Sequence, residues 1–232
     1  MTNAATQPTQ PSHDHDPARA MDRMYRYTRH VYDASRKFYL FGRDQLLYQL
    51  ETHPGDTALE IGCGTARNLI KLAKLRPDIK LYGVDASEQM LITARSNIRA
   101  AGLQDRITVK QGLAQELSAD MFGLDKPFDV PFFSYSLSMI PPWKESIDAA
   151  LNHLAPGRSL YAVDFWDQQD LPAAFRWTLT RWLRLFHVVH RPEMLQYLQH
   201  LAEGQPYQLD LTSIMGRCAY IARLTPATDE PT

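Results

Sequence analysis

The sequence predicts an α/β protein with a doubly wound, mostly parallel sheet that ends in an antiparallel hairpin. Strand-like and helix-like segments alternate from residue 41 onward, which is typical of parallel strands joined by right-handed helical crossovers. A glycine-rich turn follows the first strand-like run, and two strand-like runs flank Met215 and Gly216 near the end. A chain of 232 residues has room for one such domain and little more.

The first half of the chain predicts the sheet's first three strands and their helices. Leu46, Leu47 and Leu50 recur at helical spacing, which predicts a helix before the first strand. An apolar run then rises into a glycine and predicts a buried strand, and a helical pattern follows it. The predicted strands are 58–62, 80–85 and 107–111, and the predicted helices are 41–50, 68–75 and 88–101.

The second half continues the alternation and then breaks it. The segment 128–139 contains the next strand, and a helix over 143–154 and a strand over 159–164 follow. The runs 207–213 and 217–224 have no helical pattern between them and predict the closing hairpin.

Composition limits the partners and the organisation. Residues 1–18 are polar and proline-bearing, so we expect a disordered tail before a single domain over 19–232. No apolar signal core or span-length segment is visible, so we expect a cytoplasmic protein. The net charge of −1 gives no global attraction to nucleic acid. His13 and His15 alone are too few ligands for a metal, so no metal is expected.

The residues that end the predicted strands are the candidates for a site. In doubly wound sheets, ligands bind beyond the carboxyl ends of the strands, near the switch in strand order. Those ends fall at 62–66, 85–87, 111–114, 134–138 and 164–167.

The glycine turn and a later acid predict an adenosine-containing ligand. Gly62 and Gly64 allow a sharp turn and bring backbone N–H groups against a ligand. Asp85 follows Gly64 by 21 residues at a strand end, where a carboxylate can accept both hydroxyls of a ribose. A dinucleotide would need a third glycine where Arg67 stands, so the pattern favours a cofactor without a pyrophosphate. The same glycines could also serve only as a turn, with no ligand.

The sequence here resembles the class I S-adenosylmethionine-dependent methyltransferases, which have a Rossmann-like fold. The matching motifs are Glu60-Ile-Gly62-Cys-Gly64-Thr-Ala66 and Val84-Asp85-Ala86-Ser87 with Met90, and the match covers about residues 40–224. The resemblance implies S-adenosyl-L-methionine as the cofactor, with the ribose on Asp85. The cofactor residues that it implies are Glu60, Gly62, Gly64, Asp85, Ala86, Met90, Gln111, Gly112, Leu113, Ala114 and Ser134.

Two positions depart from that family pattern. Ala66 stands where the first motif has a third glycine. The segment 111–114 lacks the acid that many of these enzymes place after the third strand to bond the adenine. Leu113 is expected to pack on the adenine face instead.

Tyrosines before the first strand are candidates for the reaction site. Tyr25, Tyr27, Tyr32 and Tyr39 crowd a segment that could fold over the cofactor. Aromatic faces attract a sulfonium or a developing quaternary ammonium by about 0.5–2 kcal/mol each. The alternative is an ordinary packed helix face.

Two further segments bear on the substrate. The run 132–143 contains Pro141 and Pro142 but lacks the adjacent acid or amide that holds a planar base amine in nucleic-acid methyltransferases. The run 171–186 has an apolar stripe, with Arg176, Arg181 and Arg184 off it. That composition is typical of an interfacial helix, or of a helix that only covers the sheet.

The match is closer to the bacterial betaine-lipid N-methyltransferases. The segments that resemble them are 25–44, Phe133-Ser-Tyr-Ser-Leu-Ser-Met-Ile-Pro141 and Val163-Asp-Phe165. The resemblance implies that diacylglyceryl-homoserine is methylated three times at its amine, without a metal, at the inner face of the membrane. The enzyme that makes diacylglyceryl-homoserine is then a possible partner. Expected catalytic residues are Tyr32 and Tyr27, and expected substrate residues are Tyr25, Tyr39, Arg43, Ser136 and Trp166.

These expectations assign roles to two regions outside the sheet and leave two alternatives open. Residues 19–50 would form an N-terminal cap, and 168–205 a helical insertion facing substrate or membrane. The acceptor could instead be another lipid or small-molecule amine, such as phosphatidylethanolamine. The chain could also be a catalytically silent scaffold of the same fold.

Overall fold

The computed structural model describes residues 40–171, 181, 191–203 and 207–227. Strands in these ranges are β1 (Thr57–Ile61), β2 (Lys80–Asp85), β3 (Ile107–Gln111), β4 (Val130–Ser134), β5 (Leu160–Phe165), β6 (Tyr207–Ile214) and β7 (Ala219–Pro226). Helices are α1 (Arg43–Gln49), α2 (Arg67–Leu75), α3 (Glu88–Ala100), α4 (Trp143–Asn152) and α5 (Pro192–Glu203), with short 3₁₀ turns at Ala114–Glu116 and Asp120–Phe122.

The strands form one seven-stranded sheet in the order β3-β2-β1-β4-β5-β7-β6. β1 to β5 pair in parallel, and β7 pairs antiparallel with both β5 and β6. The predicted fold class is confirmed. The strand order reverses at β1, which lies between β2 and β4, so the carboxyl ends of these three strands border the crevice where a ligand is expected.

Each face of the sheet is covered by its own apolar core. On one face, α1, α2 and α3 bury Leu46, Leu69 and Leu91 completely. On the other, α4 and α5 contribute Ile147 and Met194, also fully buried. All five residues of β1 are buried because this central strand is covered on both faces. The glycine turn therefore starts from the most constrained strand of the sheet.

The closing hairpin differs from its predicted bounds. Its second strand begins at Ala219 rather than at 217, because Met215, Gly216 and Arg217 all adopt positive φ angles in the turn. The Cys218 N–H then donates to the Ile214 carbonyl at 3.0 Å and closes the turn. A turn with three left-handed residues could not be inferred from one glycine.

Helix α5 lies within the predicted helical insertion. Its Met194 and Leu198 are 0 % and 2 % exposed, in the core beneath the sheet. This part of 168–205 is therefore a sheet-covering helix. Most of 171–186 lies outside the described residues. Across the described ranges, no helix combines the length and apolar character that a membrane span needs.

Candidate active site

A cavity of about 480 Å³ opens at the carboxyl ends of β1, β2 and β4. Its size is within the range of roughly 300–1,000 Å³ that is usual for small-molecule and cofactor sites. The lining includes predicted residues from every motif: Arg43, Glu60, Gly62, Gly64, Asp85, Ala86, Met90, Gly112, Leu113, Ala114, Ser134 and Ser136. The sheet therefore brings together segments that are far apart in the sequence.

The glycine turn is fixed by the register of β1 and β2. Ile61 pairs with Val84, so the N–H groups of Gly62 and Cys63 both donate to the Val84 carbonyl. Gly62 has φ of 77°, and a Cβ there would approach the Ser136 Cβ to 2.5 Å. Glycine is required at this position both by conformation and by space.

Ala66 keeps the geometry of the family motif without its glycine. It has φ of 63° at the position before α2, in the left-handed region where glycine is the usual residue. A left-handed alanine costs roughly 1–2 kcal/mol relative to a right-handed one. The turn is kept although its third glycine is missing.

Asp85 connects the turn to the cavity. Its Oδ2 accepts the Gly64 N–H at 2.7 Å, and its Oδ1 accepts the Ser87 N–H at 2.9 Å. The residue is 9 % exposed and lines the cavity. Each carboxylate oxygen can accept more than one hydrogen bond, so a carboxylate held in this way can still receive ligand hydroxyls.

Gln111 is a correction to the predicted set. It ends β3 opposite Asp85, but its side chain is exposed and its Nε2 donates to the Ala86 carbonyl at 3.1 Å. It does not line the cavity. Its neighbour Gly112 does, and a Cβ there would come within 2.7 Å of the Met121 Cε. The backbone of 112–114, rather than the Gln111 side chain, borders the site.

A buried polar network closes the cavity at the end of β1. Glu60 Oε1 accepts from Asn68 Nδ2 at 2.6 Å, while its Oε2 is buried without a hydrogen-bond partner in the described ranges. Asn68 Oδ1 accepts from both Arg43 and Arg67, at 3.1 Å each. Burial raises the pKa of Glu60 to about 7, and the Asn68 hydrogen bond and the nearby Arg43 charge oppose that rise.

Asn68 was missed by the sequence reasoning. It lies in the first turn of α2, where its side chain is buried and joins Glu60 to the arginines. A polar residue at a core position just after the glycine turn was the available signal. Arg43 was predicted to bind substrate; it lines the cavity and also donates to Asn68 in this network, and its role toward substrate stays a prediction.

The wall beyond β4 is formed by the segment 134–142. Tyr135 has a φ angle of 57°. Its ring packs edge-on against the Phe165 ring, with the two ring centroids 4.7 Å apart, and its hydroxyl donates to the Phe41 carbonyl. This turn directs the following residues over the cavity, where Met139, Ile140, Pro141 and Pro142 form an apolar surface. Arg191, which directly precedes α5, completes this wall.

Trp166 is a second correction. It does not line the cavity: its ring packs edge-on against Tyr220, and the Arg217 guanidinium lies 4.5 Å above it. The Trp166 backbone N–H donates to the Cys218 carbonyl at 3.0 Å, so the residue is tied to the hairpin turn. Tyr25, Tyr27, Tyr32 and Tyr39 lie outside the described residues, and their roles stay predictions. Within the described ranges, no group of three or more potential metal ligands occurs.

The fold is an α/β sheet with a cavity at the switch in strand order, and comparison with known proteins identifies the family. Residues 52–208 match the model of the methyltransferase domain, so the chain belongs to that family. It is 25 % identical over 201 residues to the demethylmenaquinone methyltransferase of Desulfitobacterium hafniense, covering 81 % of this chain and 76 % of that protein.

Further relatives match over shorter segments, and solved structures match in fold. The demethylmenaquinone methyltransferase of Symbiobacterium thermophilum is 30 % identical over 49 % of this chain, which spans only 44 % of that protein. A SAM-dependent methyltransferase structure from Aquifex aeolicus has a TM-score of 0.59 at 16 % identity, covering 91 % of this chain and 97 % of that one. The protein is a methyltransferase that uses S-adenosyl-L-methionine.

The residues present fit this cofactor. The clamped carboxylate of Asp85 would receive the ribose hydroxyls, and Leu113 and Met90 would border the adenine. Glu60 Oε2, a buried acceptor with no described partner, would receive the ammonium of the methionine part. Arg43 lies on the same side and would pair with its carboxylate.

Asp85→Ala should weaken S-adenosylmethionine binding at least tenfold while the fold is retained. Two hydrogen bonds to a charged acceptor, at roughly 1.5–3 kcal/mol each, would be lost. Calorimetry measures the affinity, and circular dichroism checks the fold. Glu88→Ala is the matched control, because Glu88 lies three residues further on and does not line the cavity. Unchanged affinity in Asp85→Ala would disprove the ribose assignment.

Glu60→Gln should change how stability depends on pH. The pKa of Glu60 in the folded chain, about 7, lies above its ordinary value of 4.5. The folded state therefore holds a proton that the unfolded state has lost, and stability falls as pH rises through this interval. The unfolding free energy of the wild type minus that of Glu60→Gln should decrease by on the order of 2–3 kcal/mol between about pH 4.5 and about pH 8.

Urea denaturation of both proteins across this pH range measures the difference. Asp164, whose pKa burial raises to about 6, titrates in both proteins and cancels. A difference that does not vary with pH would contradict the buried, proton-holding state of Glu60.

Proposed function

We propose that this enzyme methylates the amine of diacylglyceryl-homoserine three times, giving the betaine lipid diacylglyceryl-trimethylhomoserine. The observation that carries the proposal is the position of 133–141, one of the segments that resemble the betaine-lipid N-methyltransferases. Its residues from Ser134 onward, Leu137 excepted, form the cavity wall on the side away from Asp85. The acceptor would bind against this wall.

The character of the wall supports a lipid-linked acceptor. Met139, Ile140 and the two prolines give it an apolar surface, and Leu40 adds to the apolar lining. Such a surface favours hydrocarbon or glyceryl-ether contacts. Ser134 Oγ is buried there without a hydrogen-bond partner in the described ranges. It could bond the polar head of an acceptor.

Methyl transfer requires the protein mainly to position the two reactants and to exclude water from them. The bound cofactor supplies a methyl group already activated by a sulfonium. An acceptor amine must be neutral to attack, so a proton must be lost before each transfer. The rigid turn at 62–64 and the wall at 134–142 would hold the two reactants in line and exclude water. Such positioning is the main contribution that this site would make.

The proposed setting is the inner face of the membrane, with the protein peripherally associated from the cytoplasm. The enzyme that makes diacylglyceryl-homoserine would be a partner in the same lipid conversion. No nucleic acid or metal enters the proposed reaction.

A second candidate is methylation of demethylmenaquinone. It is favoured by the relative from Desulfitobacterium hafniense, whose match covers 81 % of this chain. Two further candidates are methylation of another lipid amine, such as phosphatidylethanolamine, and a silent scaffold of the same fold.

One assay separates these candidates. The purified enzyme receives S-adenosylmethionine carrying a labelled methyl group and vesicles of diacylglyceryl-homoserine, phosphatidylethanolamine or demethylmenaquinone, and lipids are analysed by mass. We expect one, two and then three labelled methyl groups on diacylglyceryl-homoserine, and none with Asp85→Ala. Label on demethylmenaquinone alone would overturn the proposal. Cofactor binding with no labelled product from any lipid would indicate the scaffold.

A further inference from the structure

Arg191 is the charged residue of the cavity that the cofactor does not account for. The carboxylates in the described lining are Glu60 and Asp85, and the basic residues are Arg43, Arg67 and Arg191. The cofactor carries one carboxylate, and Arg43 would pair with it. Arg67 is ion-paired with Asp44 at 2.7 Å. Arg191 is left facing the cavity.

The position of Arg191 is fixed by the core. Its carbonyl accepts the Met194 N–H at 3.1 Å at the start of α5, and Met194 is fully buried under the sheet. Its Nε is buried without a hydrogen-bond partner in the described ranges, and no ion pair there includes it. A buried guanidinium nitrogen is normally satisfied, and the Arg191 side chain lines the cavity, so an acceptor bound there would complete its hydrogen bonding.

The acid on which the Arg191 charge acts does not hydrogen-bond to it. The Arg191 charge acts on Asp164 near the end of β5. The two oxygens of Asp164 already accept the N–H groups of Phe165 and Ser138, at 2.8 and 3.0 Å. Asp164 is completely buried and does not line the cavity. It holds the 134–138 segment in place, while Arg191 remains on the cavity wall.

Arg191 also lies on the acceptor side of the site. Asp164 is on β5 and Asp85 on β2, and β1 and β4 lie between them. Three strand spacings of about 4.8 Å separate these positions by about 14 Å across the sheet. Asp164, on which the Arg191 charge acts, is therefore remote from Asp85, and helix α5, which Arg191 precedes, contacts α4 and β6 toward the opposite edge of the sheet from β2.

We propose that Arg191 binds a carboxylate of the methyl acceptor and so selects an acceptor whose head carries both an amine and an acid. A guanidinium matches a carboxylate with two parallel N–H···O bonds. The inference rests on the proposed function in taking the acceptor to lie against the 134–142 wall. It adds that the head group is recognised by its acid and not only by its amine.

A binding experiment tests the inference without requiring turnover. The enzyme is saturated with S-adenosylhomocysteine and titrated by calorimetry with a short-chain O-alkyl homoserine and with its carboxamide, which differ only in the acid. The wild type should bind the acid about tenfold or more tightly than the carboxamide. Arg191→Gln should remove that preference and leave the affinity for S-adenosylhomocysteine unchanged. Arg191→Lys should restore part of it.

Arg95→Gln is the matched control, because Arg95 pairs with Glu88 on α3 and does not line the cavity. It should keep the full preference for the acid. Equal wild-type affinity for the acid and the carboxamide, or no binding of either, would overturn the inference. A preference that survives in Arg191→Gln would do the same. The binding test and the methylation assay can also disagree. If Arg191→Gln loses the preference for the acid but the wild type does not methylate diacylglyceryl-homoserine, the proposed function is wrong and the carboxylate site is supported.

Discussion

The hydrogen bond from the Gly64 N–H to the Asp85 carboxylate is the interaction on which the site depends. It joins the turn after β1 to the end of β2, two segments that are 21 residues apart. The parallel register that pairs Ile61 with Val84 makes this contact possible. With that register fixed, the left-handed glycines face the cavity and the acid is held beside them.

Burial determines the protonation of two carboxyl groups in and beside the site. Glu60 and Asp164 are both fully buried, and burial raises the pKa of each well above its ordinary range. Neither is ion-paired within the described ranges, and each instead accepts neutral hydrogen bonds, from Asn68 and from backbone N–H groups. Buried carboxylates that form no direct ion pair respond strongly to an added cation. This suits a site whose cofactor carries a sulfonium and an ammonium.

The fold was predictable because its signals are local. Buried strands, helical spacing and the glycine turn identify the elements from Thr57 to Phe165 to within a few residues, and the family motifs identify Asp85. The side chains that failed were those decided by tertiary contacts. Gln111 turns to the Ala86 carbonyl, and Trp166 is held by the hairpin turn. Neither contact can be predicted from the residues that neighbour Gln111 or Trp166 in the sequence.

Two contributors could not be inferred from motif spacing. Asn68 matters because α2 directs it onto Glu60, and Arg191 because the start of α5 places it in the cavity lining. Each is a single polar residue of a type that is ordinarily solvated. Only the tertiary structure brings them to the site.

We expect the clamped carboxylate of Asp85 to receive the ribose of the cofactor. A crystal structure of the complex with S-adenosylhomocysteine tests this. Both ribose hydroxyls should lie within about 3.2 Å of the Asp85 carboxylate oxygens, with the Gly64 bond retained. A bound ribose elsewhere in the cavity, with Asp85 bonded only to Gly64 and Ser87, would contradict it.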